Sequence, residues 1–183
     1  MVPHQLIFGM TLLGTKIKMK TKGFTLIELI LYIAIITIVI SALIPFAWNI
    51  IEGSAKSSVE QEVSSQARYV SERIKYEIRN ATSINTPAPG ASGSVLILNT
   101  SPSTIIDLNS SKVRISDDGG PLTNLNSNET EVSGLNFTSY ESSDGKTKHI
   151  QFSFTVDDNY TGSRQEYDAP AITIESSAEL RSN

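Results

Sequence analysis

The carboxylate of Glu28 lies where a charge is costly, at the beginning of a long apolar run and five residues after Gly23. A charged side chain inside a membrane helix is disfavoured by roughly 2.5 to 3.5 kcal/mol at the bilayer centre, so such residues usually have a partner or a purpose. A nearby amine would lower the cost of both charges. Without one, the acid would extend to the headgroups or stay protonated.

The element that follows Glu28 is predicted to be a membrane-spanning helix. Leu29 to Trp48 are twenty consecutive residues without a charge, and at about 1.5 Å per residue they span the roughly 30 Å hydrocarbon core. Twelve of them are Leu, Ile, Val or Phe. These twelve favour insertion by about 5 kcal/mol, which is more than one acid near the end opposes.

The charges on either side of this run predict its orientation. The residues before it include four lysines, and an excess of lysine keeps that side in the cytoplasm: Lys16, Lys18, Lys20 and Lys22. From Phe24 onward the chain has 11 basic and 19 acidic residues, a net charge of −8. The part outside the membrane is therefore acidic, which disfavours direct binding of nucleic acid.

Two ordinary features of exported proteins are missing from the sequence. There is no cysteine, so a disulfide framework, a thiolate metal site and a cysteine nucleophile are excluded. A secretory signal has an apolar core of about 7 to 15 residues followed by a small-residue cleavage site. Here the run is longer and Gly23 precedes it, which disfavours a secretory signal peptide.

The motif KGFTLIEL, Lys22 to Leu29, resembles the processing motif of type IV pilins and of the pseudopilins of type II secretion and competence systems. The resemblance implies that prepilin peptidase cuts between Gly23 and Phe24 and that the new N-terminus, Phe24, is methylated. It also implies that Glu28, the fifth residue of the mature chain, is an assembly contact. Pro45 falls where many members of that family have a helix-bending proline.

Together with the sequence patterns described below, the resemblance predicts four segments. They are a cleaved leader (1–23), a transmembrane and assembly helix (24–51), an amphipathic helix (52–84) and a β-rich extracytoplasmic head (85–183). The leader is longer than the compact basic leaders of the family, and a start at Met19 would give the compact MKTKG. We expect translation to begin at Met19, and the alternative is a real extended leader.

Apolar residues after Trp48 continue at helical spacing: Val59, Val63, Ala67, Val70, Ile74 and Ile78. We expect this stripe to pack against the domain that follows, within a helix from Phe24 to about Thr82. Charged pairs one turn apart, Arg68 with Glu72 and Arg73 with Glu77, are expected on the opposite face. Pro45 and Gly53 predict a bend or a locally melted section between them.

The sequence pattern of the C-terminal region is typical of antiparallel strands. A Pro- and Gly-rich stretch from Asn85 to Ser94 ends the helix. A meander is predicted from the runs SVLILN, STIIDLN and SKVRIS. A hairpin around the turn SSDGK is predicted from the runs EVSGLNFTSY and HIQFSFTVDD. A last strand is predicted within APAITIESSAELRS. The predicted fold class is α+β, with a long N-terminal helix packed on an antiparallel β-sheet head. The order of these elements is similar to that of J-type minor pseudopilins.

Catalysis and cofactor binding are disfavoured. The chain has no G-x-S-x-G, H-E-x-x-H or glycine-rich phosphate motif. The strand alternation places His149 beside Gln151 and Ser153 on the solvated face. Two acidic stretches, SDDGG (116–120) and VDDNY (156–160), could attract Ca²⁺, but Asp, Asn and Gly are also ordinary turn residues and this second interpretation is favoured.

The functional prediction is a non-enzymatic structural subunit of a type IV pilus-like filament or of a type II secretion or competence pseudopilus, in particular a minor priming or capping subunit. Its partners would be prepilin peptidase, other pilin-like subunits, a platform protein and an assembly ATPase. It would reside in the inner membrane with its N-terminus inside and its head outside, before joining an extracytoplasmic filament. The alternative is a monomeric membrane-anchored binding protein.

Overall fold

The computed structural model describes residues 23–100, 102–117 and 119–181. The predictions for the leader before Gly23, including a start at Met19, lie outside the described residues. So does Asp118 in the SDDGG stretch. The described chain forms one long α-helix followed by antiparallel strands, which confirms the predicted α+β class.

The long helix, α1, runs from Leu26 to Asn80. The chain divides into two compact units, one that ends at Pro45 and one that begins at Phe46. The boundaries predicted for the leader, the membrane segment and the head stay predictions.

The first turns of α1 expose their apolar side chains. An 18-residue window near the N-terminus has a mean hydropathy of 2.7, and none of it is buried. Phe24, Leu26 and Ile27 are each about three-quarters exposed. A helix of this length and composition can cross a membrane, as predicted, and fits a single-pass membrane-anchored protein.

The later turns of α1 bury the predicted apolar stripe. Five of its six residues are at most 1% exposed: Val63, Ala67, Val70, Ile74 and Ile78. Val59 packs against the same core at its edge. The predicted Arg73–Glu77 ion pair is present, with Nη2 2.8 Å from Oε1. Its predicted place on the face opposite the stripe is wrong for Glu77, which is 6% exposed. Glu72 pairs with Lys75 instead of with Arg68, at 3.0 Å.

The predicted melted section between Pro45 and Gly53 is wrong for this structure, because every residue from 45 to 53 is helical. Proline removes one backbone donor, and glycine costs about 1 kcal/mol relative to alanine, so a helix with many other hydrogen bonds can contain both. A bend at these residues stays a prediction.

The helix ends two residues before the predicted Thr82. After Asn80, the Ala81 amide bonds to the Ile78 carbonyl at 3.3 Å, and the Thr82 amide donates to the Asn99 carbonyl at 2.8 Å. The chain thus leaves the helix directly into a sheet. Part of the predicted amphipathic helix and of the predicted loop is a strand, β1 (Ser83–Thr86).

Nine strands form two antiparallel sheets in the described residues. The remaining strands are β2 (Ser92–Gly93), β3 (Leu96–Asn99), β4 (Thr104–Asn109), β5 (Lys112–Ser116), β6 (Thr123–Asn124), β7 (Thr130–Glu141), β8 (Lys148–Asp158) and β9 (Ile172–Glu179). A short 3₁₀ turn, Gln165–Tyr167, precedes β9. One sheet has the order β1-β3-β4-β5-β6 and the other β2-β7-β8-β9.

The first sheet contains the predicted meander of β3, β4 and β5. Its tight turn uses Ser110 and Ser111 at φ of 49° and 60°, left-handed values that suit a two-residue hairpin. Arg114 lies opposite Asp107 and donates from Nε and Nη2 to the two carboxylate oxygens at 2.8 and 2.6 Å. This hydrogen bonding to Asp107 raises the pKa of Arg114 above its ordinary value.

The second sheet contains the predicted hairpin and last strand. β7 pairs with β8 around the SSDGK turn, and β8 pairs with β9. Hydrogen bonds from the Ser142 hydroxyl and the Lys146 amide lower the pKa of Asp144 in that turn. A register shift between Ser133 and Asn136 surrounds Gly134, whose φ of +64° marks a bulge.

The core lies between the later part of α1 and the inner faces of the sheets. Alternate residues on one face of the hairpin are buried: Leu135, Phe137, Ser139, Ile150, Phe152, Phe154 and Val156. Asn126 is 4% exposed and satisfies its amide by accepting from the Val113 amide at 2.9 Å and donating to the Thr130 carbonyl at 2.8 Å. Buried polar groups of this kind fix the path of the chain because they are costly when unpaired.

Candidate processing and assembly site at the start of the helix

Gly23 lies outside the helix and is exposed. A Cβ placed on it would meet no atom within 4 Å. The fold therefore does not require glycine at this position. A requirement would have to come from a molecule that grips the backbone closely, since glycine presents no side chain to a protease cleft.

Phe24 follows in an equally open position. Its side chain is 76% exposed, and its ring makes an edge contact with Tyr32, with 6.1 Å between centroids and planes at 71°. Neither Gly23 nor Phe24 belongs to the helix, which begins at Leu26. The predicted cleavage bond therefore lies in a non-helical segment, as an extended substrate for a peptidase would.

Thr25 caps the helix, a role that the sequence interpretation did not assign. Its Oγ1 accepts the Glu28 amide at 3.3 Å, and its carbonyl accepts the Leu29 amide at 3.1 Å. The spacing Thr-x-x-Glu is the signature of a capping box and could have revealed this role. A capping Thr is worth about 1 kcal/mol to the helix.

Glu28 lies in the first turn of α1. A carboxylate there is favoured by the helix dipole, by about 0.3 to 1 kcal/mol at an exposed site. Within the described residues, the Glu28 carboxylate has no ion pair and no hydrogen-bond donor. Glu28 is therefore placed for a local role in starting the helix and is also free to meet a group from outside the chain.

Polar side chains deeper in the apolar segment are satisfied within the helix. Thr37 Oγ1 donates to the Ile33 carbonyl at 2.8 Å, and Ser41 Oγ donates to the Thr37 carbonyl at 2.6 Å. Internal pairing of this kind suits a helix in lipid, where no water is available to hydroxyl groups. Glu28 is thus the one ionisable group from Phe24 to Trp48 whose charge is left without a partner, apart from the weakly acidic phenol of Tyr32.

Two predicted site residues lie apart from this cluster. Pro45 is 17 residues after Glu28, about 25 Å along the helix. Gly53 is further on, and a Cβ there would meet no atom within 4 Å. Gly23, Phe24, Thr25 and Glu28 thus lie together at the start of α1 because they are close in sequence, whereas Pro45 and Gly53 are separate helix positions.

The carboxylates considered for Ca²⁺ have partners in the described residues. Asp158 accepts the backbone amides of Tyr160 at 2.8 Å and Ala169 at 2.6 Å, and Asp117 pairs with Arg73. The described residues contain no group of three or more His, Asp or Glu side chains arranged to hold a metal. In this structure Asp158 holds a turn, and Asp117 connects its loop to α1.

His149 lies on the predicted face of β8, where it is half-buried rather than fully solvated. Its ring stacks on that of Tyr140, its partner across β7 and β8, with 4.9 Å between centroids and planes at 13°. The alternation of residues along β8 correctly predicted the face on which His149 lies. It did not predict the contact with Tyr140, because that contact depends on the hairpin register.

Comparison with known families gives one match. Residues 18–44 fit the family model described as the prokaryotic N-terminal methylation motif. No curated protein and no solved structure matches the chain. The match supports a type IV pilin-like or pseudopilin-like protein that is processed by prepilin peptidase, a kind of protein that is structural rather than catalytic. The matched range contains the cluster at the start of α1 and ends one residue before Pro45.

Proposed function

We propose that this protein is a prepilin that becomes a structural subunit of a type IV pilus-like or pseudopilus filament. The observation that carries the proposal is the methylation motif at residues 18–44, which coincides with an exposed helix start. Cleavage falls between Gly23 and Phe24, and Phe24 is then methylated. The subunit serves as a minor, priming or capping member, related to the J-type pseudopilins.

The exposed surface of α1 supports assembly. Large apolar side chains from Phe24 to Ile51 are about half to three-quarters exposed, so they need lipid or other helices around them. In a filament, helices from neighbouring subunits would cover them. The partners of this process are other pilin-like subunits, a platform protein and an assembly ATPase.

The unpaired Glu28 supports a specific contact within that assembly. Cleavage creates an amine on Phe24, four residues before Glu28, and the amine is positively charged. In a medium of low dielectric constant, the amine and the carboxylate lower each other's cost when they pair across subunits. Burying Glu28 among packed helices without such a partner would be unfavourable.

The lysines before Gly23 and the acidic residues after Trp48 support the orientation. The N-terminus lies in the cytoplasm and the head outside the inner membrane. Prepilin peptidase, which cuts on the cytoplasmic side in this family, would then meet Gly23 at the membrane surface. The head carries an acidic excess and is not proposed to bind nucleic acid directly.

The experiment that tests the proposal is the intact mass of the protein from cells with and without prepilin peptidase. We expect a species that begins at methylated Phe24 only when the peptidase is present. Gly23→Val should block cleavage, because a branched side chain would clash in the protease cleft. The matched control, Gly53→Val, also faces open space and should be cut normally.

An uncut chain in the presence of the peptidase, or a cut after the apolar run, would contradict the proposal. Such a result would favour the alternative, a monomeric anchored protein whose head binds a ligand. Equal processing of Gly23→Val and Gly53→Val would also contradict cleavage at Gly23.

A further inference from the structure

The second sheet ends in a long strand whose outer edge is open. β9 has eight residues and pairs with β8 without a register shift. On its other side, β9 has no hydrogen-bond partner within the residues that the structure describes. Proteins usually protect such edges with charged side chains, prolines or bulges. Ile172–Glu179 has no lysine, proline or bulge, and its only charges are Glu175 and Glu179.

A groove of about 380 Å³ lies beside this strand. Its strand side is formed by Ile172, Ile174, Glu175 and Ser176. Its helix side is formed by small residues of α1 and by charged residues among them: Ser64, Ala67, Ser71, Arg68, Glu72 and Lys75. The strand side is about 14 Å long, the length of about five extended residues.

The floor of the groove consists of apolar side chains next to the core that are only partly covered. Ile172 and Ile174 lie opposite Val156 and Phe154 on β8, so they belong to the inner face of the sheet. Their partners on β8 are fully buried, whereas Ile172 and Ile174 are only half-buried. A further strand with apolar side chains at alternate positions would cover both residues.

Two charged residues that line the groove have no ion pair within the described residues: Arg68 on the helix side and Glu175 on the strand side. Lys75 is paired with Glu72, but Arg68 is exposed and has no ion pair or hydrogen bond within the described residues. The five donors of its guanidinium favour a carboxylate. An acidic side chain on the incoming segment would satisfy Arg68.

We propose that this groove receives an extended segment of another polypeptide, which adds a strand to β9. The segment is about five residues long, carries apolar side chains at alternate positions against Ile172 and Ile174, and presents a carboxylate to Arg68. Recognition of this kind takes affinity from backbone hydrogen bonds and specificity from alternate side chains. The inference goes beyond the proposed function and does not depend on cleavage at Gly23.

A second copy of this chain fits the groove less well. The other edge strands, β1, β2 and β6, are at most four residues long, which is shorter than the groove. Pairing of two β9 strands would bring Glu175 and Glu179 of both copies into one ladder, where like charges oppose pairing.

The test uses the full chain in detergent micelles and hydrogen exchange of the β9 amides. The probe is the acetylated peptide Thr-Val-Thr-Asp-Thr-Val-Thr, whose aspartate shares a face with its valines because strand side chains alternate. We expect it to slow exchange within Ile172–Glu179. The same peptide N-methylated at alternate amides cannot form the ladder and should have no effect.

Variants then test the carboxylate contact. Arg68→Ala should weaken binding of the peptide by about twofold to fivefold, the upper part of the range for one exposed ion pair. Arg79→Ala removes an exposed arginine of the same helix outside the groove and should leave binding unchanged. Equal binding by the wild type and Arg68→Ala would overturn the pairing with Arg68.

Two results would overturn the proposal as a whole. One is unchanged exchange of β9 at about 1 mM peptide, the weak end of specific binding. The other is protection of β9 that rises with protein concentration in the absence of peptide, which would identify a second copy as the occupant. The test at Gly23 measures cleavage, whereas this test measures hydrogen exchange of β9. A negative result in one test therefore does not affect the other proposal.

Discussion

At the scale of single residues, Glu28 combines a local role with an unused charge. Thr25 accepts its amide, and the carboxylate favours the helix start through the dipole. No described residue neutralises that carboxylate. The local role is satisfied by a single chain, whereas the unpaired charge is the feature that points to assembly.

We expect Glu28→Gln to insert and to be processed like the wild type but to be lost from filaments. Glutamine keeps the length and the helix propensity but cannot pair with an ammonium group as an ion. The measurement is the amount of the mature protein in sheared filaments compared with that in membranes.

The matched control for this variant is Glu52→Gln, an exposed acid of the same helix beyond the apolar run. It should be incorporated normally. Incorporation of Glu28→Gln at the wild-type level would show that the carboxylate is not an assembly contact.

At the scale of elements, α1 shows which structural features can be predicted from residues close together in the sequence. The stripe from Val59 to Ile78 was predictable because its spacing matches the helical period. The melted section between Pro45 and Gly53 was not found, because a proline and a glycine lower helix stability without cancelling the remaining hydrogen bonds. Thr25 was missed although its capping signal is present in the sequence.

Gly53→Ala should raise the stability of the helix by about 1 kcal/mol, the difference in helix propensity between the two residues. The new Cβ meets no atom within 4 Å, so no steric cost opposes the gain. The measurement is thermal unfolding of the full chain in detergent, followed by helical circular dichroism.

Ser54→Ala, at the neighbouring exposed position, serves as a control and should give a smaller gain, about 0.5 kcal/mol. A loss of stability in Gly53→Ala would mean that residue 53 is not helical in solution. The locally melted section would then be supported after all.

At the scale of the whole molecule, the unit that begins at Phe46 depends on a core shared by α1 and both sheets. Phe152 is 1% exposed and lies next to Phe137 and Phe154, at 6.4 and 6.2 Å between ring centroids. Tethers between the helix and the loops complete this arrangement. Ser127 donates from Oγ to Glu62 at 3.0 Å, and Arg73 pairs with Asp117.

Phe152→Ala should lower the free energy of unfolding by about 3 to 5 kcal/mol, since it removes a buried ring and leaves a cavity. That is a large part of the 5 to 15 kcal/mol that keeps an ordinary domain folded. The measurement is chemical denaturation of the full chain in detergent.

Tyr69→Ala removes a ring that is 53% exposed on α1 and should change the stability by less than about 1 kcal/mol. Similar losses for Phe152→Ala and Tyr69→Ala would mean that the aromatic core does not control unfolding.

The sequence by itself determined the features that depend on short-range order. These are the membrane-length helix, the buried stripe, the meander, the hairpin with its Ser-Ser-Asp-Gly turn, and the motif from Lys22 to Leu29. Each rests on spacing within about twenty residues, where the periods of helix and strand and the chemistry of turns act directly.

Only the tertiary structure decided how these elements share a core. The division into two sheets, the short strands β1, β2 and β6, the stacking of His149 on Tyr140 and the open edge of β9 all join residues that are distant in sequence or depend on register. Local patterns carry little information on such pairings, because a strand can satisfy its period against many partners. The choice among them is made by which apolar faces and backbone groups are buried together, and that follows from the packed molecule.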